Sequence, residues 1–67
     1  MEGSPPVVVH PPHGGTRLVT VRGERLGRAR GTGDVLEFLR RAGLDPDDVA
    51  LEDPALIAWR GGGPDTW

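Results

Sequence analysis

The side chains with chemical reach in this sequence are eight arginines, ten carboxylates, two histidines and two tryptophans; Lys, Cys, Tyr, Asn and Gln are absent. His10 and His13 form a His-x-x-His pair around Pro11-Pro12. Two imidazoles can hold a divalent cation, but a stable site needs a third or fourth ligand. The intervening prolines also forbid the helical turn that would align the pair. His10 and His13 are therefore read as solvated loop side chains, and they are the only metal candidates. Arg17, Arg22, Arg25, Arg28 and Arg30 follow within one short stretch, the pattern of a β-ribbon that meets phosphates. Sequence-specific reading of bases is disfavoured, because no Asn or Gln is present to read adenine and only Trp59, Trp67 and Phe38 could stack on bases.

Other groups have simpler explanations. Gly27-Arg28-Ala29-Arg30-Gly31-Thr32-Gly33 leads toward a helix start, where backbone amides can bind anions. The run lacks a Walker lysine and the spacing of a dinucleotide fingerprint, so a turn followed by a cap accounts for its glycines. Asp45, Asp47, Asp48, Glu52 and Asp53 are close in sequence but lack the ordered spacing of a calcium loop. Acid–base catalysis needs convergent groups in a pocket, and nothing in the sequence makes these converge. We expect no catalytic residue and no cofactor. Trp67, if exposed, is a good anchor for a partner, because Trp is enriched among binding hot spots.

Composition bounds the rest. Without Cys there is no disulfide framework, thiolate metal site or thiol nucleophile, and without Lys no Schiff base or P-loop lysine. Arg without Lys, together with abundant Gly and Pro, also fits a GC-rich, bacterial coding sequence, which weakens the arginines as evidence for nucleic-acid binding. Charge is divided along the chain: residues 1–33 carry five Arg against two Glu, and residues 34–67 three Arg against eight acids. Either the halves attract each other or are separately solvated, or one of them meets a partner of opposite charge. The N-terminus carries an acid where a signal peptide carries positive charge, and no apolar run approaches the roughly 20 residues of a membrane span. A cytoplasmic protein is expected.

These groups need elements to position them. Gly and Pro account for 18 of the 67 residues, and they concentrate in the turns and at both ends. Residues 1–15 are read as a flexible Pro/Gly/His-rich segment with an edge strand available at 7–10, residues 16–60 as a single small α+β domain, and 61–67 as a Gly-rich tail. In the domain, Val19 and Val21 alternate on one strand face, and Gly23 supplies a hairpin turn with Arg22 or Glu24. Either turn places Leu26 opposite Val19 or Val21. Asp34 is the expected helix N-cap and Glu37 its capping-box partner. Val35, Phe38, Leu39 and Ala42 form an apolar stripe, with Leu36 at its edge, and Gly43 with Leu44 closes the helix in a Schellman motif. So short a helix must pack against something, and the hairpin is its partner. Asp45-Pro46 starts one helical turn. Residues 54–60 are strand or helix, with the strand favoured.

The expected fold is thus α+β: a β-hairpin packed on one α-helix, with one or two further short edge strands. Its core comprises Val19, Val21, Leu26, Val35, Phe38, Leu39, Leu44, Leu56 or Ile57, and Trp59. Such a core is thin for an unaided domain. Hairpin, helix and a strand ending in Trp59-Arg60-Gly61-Gly62-Gly63 resemble, in outline, the ubiquitin-like β-grasp carriers. That resemblance implies activation of a C-terminal glycine as an adenylate or thiocarboxylate, here at Gly63 after loss of Pro64 to Trp67. The leading expectation is a non-enzymatic binding or accessory protein with a protein partner or self-association as a dimer. Nucleic-acid binding through the arginine hairpin is the alternative and the carrier a further one.

Overall fold

The computed structural model describes residues 5–48 and 50–67; the first four residues of the expected N-terminal segment, and Val49, lie outside the described residues. The protein is an α+β fold in which one helix packs on a four-stranded mixed sheet. Strands β1 (Val7–Val9), β2 (Arg17–Val21) and β3 (Glu24–Ala29) form an antiparallel meander; helix α1 (Thr32–Arg41), a 3₁₀ turn (Pro46–Asp48) and strand β4 (Ile57–Trp59) follow. The sheet order is β3-β2-β1-β4, with β4 parallel to β1.

β1 is thus an interior strand with neighbours on both sides, not the expected edge strand. Prolines do not exclude it, because Pro6 and Pro11 flank the paired triplet and Val7, Val8 and Val9 keep their amide hydrogens. An unbroken run of valines suits a strand with neighbours on both sides. The segment after it closes a second hairpin: His13 and Thr16 exchange backbone hydrogen bonds across Gly14 and Gly15, both at positive φ.

The β2–β3 hairpin turns at Arg22-Gly23, with φ of 52° and 83°, as a two-residue loop of the primed type requires. Arg22 is the turn companion and Glu24 begins the strand. A bulge then changes the expected register. Thr20 pairs with Arg25 and Val19 with Gly27, so Leu26 is the inserted residue and faces neither Val19 nor Val21 directly. Leu26 still packs against the core. The bulge brings Gly27 under the Phe38 ring, where a Cβ would lie 3.0 Å from Cζ.

Helix α1 starts two residues earlier than Asp34. Gly31 occupies the N-cap position without a side-chain cap. Asp34 instead accepts a hydrogen bond from the Arg30 amide, which places its carboxylate in the first turn where the helix dipole favours it. Glu37 turns outward to Arg40 and Arg41. The C-terminus is a Schellman motif, with Leu44 N–H bonded to Leu39 O and Gly43 N–H to Arg40 O. Ala42, the expected end of the stripe, is exposed at the C-cap.

Val7, Val9, Val19, Ala29, Val35, Leu39 and Ile57 are buried, and Val21, Leu26, Phe38, Leu44, Leu56 and Trp59 pack around them. Full burial of each large aliphatic contributes about 1.5–3 kcal/mol. β1 supplies two of these residues, which the hairpin-and-helix core lacks. Asp53 starts a turn rather than a helix, its carboxylate accepting from Ala55 N–H, and Ile57 enters as a strand residue. No described helix is long and apolar enough to cross a membrane.

Candidate functional site

Strand pairing sorts every sheet residue onto one of two faces. Val7, Val9, Val19 and Ile57 share the helix-covered face, and Arg17 belongs to the same row as Val19 along β2. Val8, Leu18, Thr20 and Ala58 point the other way, with Arg25 opposite Thr20 and Arg28 opposite Leu18. Among the described residues no helix covers this second face. Its centre is apolar, with Val8, Leu18 and Ala58 half-buried, and the β3 side is basic, with Arg25 and Arg28 exposed. His10 lies on the same face and hydrogen-bonds Thr20 Oγ1 through Nε2 at 3.1 Å. Arg28 Nε donates to Thr16 Oγ1 at 2.7 Å, which holds its guanidinium beside the turn.

The expected site residues therefore separate. Arg22, Arg25, Arg28 and Arg30 are exposed along the turn and β3. Arg17 and Trp67 are not with them. Arg17 is fully buried at the end of the core row, and the carbonyls of residues 60–67 fold around it. Arg17 Nε donates to His10 O at 2.8 Å. Nη1 donates to Gly63 O and Thr66 O at 2.8 and 2.7 Å. Nη2 donates to Arg60 O and Gly62 O at 2.7 and 2.9 Å, with a longer contact to Val9 O. All five N–H groups of the fork are satisfied, every one by a backbone carbonyl.

Two indoles complete this enclosure. The guanidinium carbon lies 5.3 Å from the Trp59 ring centroid and 5.4 Å from that of Trp67, and the rings meet edge to face. Cation–π attraction of desolvated pairs reaches about 2 kcal/mol each. Among the described residues no carboxylate takes part, and burial draws the Arg17 pKa below its ordinary value. Trp59 also donates from Nε1 to Leu51 O at 2.7 Å, and Trp67 to Pro64 O at 2.6 Å.

The glycine run has a physical role in this cap. Gly61 and Gly62 have φ of 78° and 132°; a Cβ on Gly61 would lie 2.8 Å from Pro11, and one on Gly62 2.7 Å from Thr66. Only glycine turns the chain this tightly here. The Gly63 carbonyl, central to the carrier resemblance, is engaged by Arg17, and loss of Pro64 to Trp67 would remove the Thr66 acceptor and one indole.

The histidines do not converge as a pair: His10 bonds Thr20, and His13 is exposed in the turn. Among the described residues there is no group of three metal-ligating side chains and no pocket. Nor do the two charged halves bridge each other among the described residues, where the ion pairs are those of Glu37 with Arg40 and Arg41. Sequence reasoning missed the enclosure of Arg17. The available signal was the odd-position row Arg17, Val19, Val21, which puts a cation in line with two core valines. Comparison with protein-family models, curated proteins and solved structures yields no match.

Proposed function

We propose that the protein is a small non-enzymatic binding module that acts through protein–protein contacts made by the uncovered sheet face. The observation that carries this reading is the register. It sets Val8, Leu18 and Ala58 in an apolar centre and Arg25 and Arg28 along one flank. A partner of matching chemistry presents an apolar anchor bordered by Asp or Glu. Apolar contact then supplies affinity, while the rim charges supply orientation and encounter rate. The reading extends to a bacterial setting, on the Arg-for-Lys pattern.

A second reading rests on the same arginines. Arg22, Arg25, Arg28 and Arg30 on one hairpin can meet phosphates, so the alternative is nucleic-acid binding. Affinity capture from the native cell with partners identified by mass separates the two. The expected result is a protein partner whose affinity for the purified module falls at least tenfold with Leu18→Asp and with the Arg25→Glu, Arg28→Glu double substitution. A monomer that retains no partner overturns the reading. Retention on DNA or RNA that disappears with added salt supports the alternative instead.

A further inference from the structure

We infer that residues 60–67 are a releasable cap that opens as a unit while the sheet stays paired, with Arg17 as its fastening. The cap is attached at few points. Four of its carbonyls are held by the single Arg17 side chain, one further bond runs from Arg60 N–H to Val9 O, and Trp67 leans edge-on against Trp59. Arg60, Gly61, Gly62, Gly63, Asp65 and Thr66 are exposed, so the apolar surface that holds the segment down is chiefly that of Trp67, which packs against the core and lies 5.4 Å from the Arg17 guanidinium.

Segments with few buried apolar contacts occupy the low-stability end of a fold and open without global unfolding. The sheet has the opposite character: Val7, Val9, Val19 and Ile57 are buried beneath the helix, and none of the four strands belongs to the cap. Opening therefore gives up the last bond of the β1–β4 ladder, Arg60 N–H to Val9 O, and leaves the remaining strand pairing in place. It also converts a saturated cation into a free one. The five N–H donors of Arg17 lose four of their strong acceptors in one step and lie beside the Trp59 indole at the end of β2. The cap is thus an internal cover over the buried Arg17 guanidinium, and its carbonyls take the acceptor positions that a carboxylate would otherwise fill.

Native-state hydrogen exchange on the whole chain tests this. Arg60 N–H, bonded to Val9 O, reports on the cap; Val7 N–H and Arg22 N–H, bonded to Leu56 O and Pro6 O, report on the sheet. The expected protection of Arg60 is at least tenfold below that of Val7 and Arg22 and nearly independent of low urea. Trp67→Ala should lower it about tenfold further and leave the two sheet amides unchanged. Equal protection of cap and sheet in the wild-type chain, falling together as urea is added, overturns the inference whatever the variant does.

Discussion

Arg17 and Arg28 sit on adjacent strands of one hairpin, next to the same register position, and their environments are opposite. Arg17 pairs with Ala29 and faces the core; Arg28 pairs with Leu18 and faces the open side. One step of strand parity separates a guanidinium enclosed by carbonyls and two indoles from one held only by Thr16 Oγ1 at the surface. The lesson is that residue type does not assign a cation its role here. Alternation assigns it, together with the presence or absence of a segment that can cover the face. On the helix side the C-terminal segment covers Arg17, and on the other side no described element covers Arg25 or Arg28.

Five variants test the contrast, beginning with the most severe. Arg17→Ala removes five donors and strands the carbonyls of the cap, and it should cost at least about 3 kcal/mol in urea unfolding. A loss below about 1 kcal/mol would mean that the enclosure adds nothing to the fold. Gly61→Ala should cost about 1–3 kcal/mol, because it forces a side chain into a positive-φ turn against Pro11. Gly63→Ala, whose added Cβ meets open space, should stay within about 0.5 kcal/mol. Thermal unfolding of the pair side by side shows whether the turn or merely the glycine composition matters.

On the open side, Arg25→Ala with Arg28→Ala should change stability by no more than about 0.5 kcal/mol. A large loss there would place these arginines in the fold rather than at an interface. The smallest effect belongs to Glu37. Its hydrogen bond to Arg40, helped by Arg40's charge and by Arg41, holds its carboxyl below the ordinary carboxylate value against a partial desolvation that acts the other way. A lowered native pKa contributes stability that is complete above the unfolded value of about 4.3 and is lost as pH falls through the native value. The melting-temperature gap between wild type and Glu37→Gln should therefore be full at neutral pH and close in acid.

Much of the architecture was legible locally. The Gly43 and Leu44 closure, a hairpin turn at Gly23, one helical turn after Asp45 and a favoured strand at Ile57–Trp59 each depend on a few consecutive residues. The misplaced helix start has a local cause as well: Gly31 can cap without a side chain, so Asp34 became free to bond Arg30 from inside the first turn. The bulge at Leu26 was harder to see, because the contact that accompanies it joins Gly27 on the strand to Phe38 on the helix.

Taken alone, the sequence determined that the chain builds one small α+β unit, that its helix ends at Gly43 and that its arginines gather on one hairpin. Tertiary structure alone decided which of those arginines remains a surface group and that the glycine-rich end is a folded cap. It also decided that the proline-flanked valines form the interior strand. The reason is distance along the chain. Arg17 meets its cap acceptors 43 to 49 residues later, and backbone carbonyls carry no residue-specific signal, so no local pattern announces that such a basket will close.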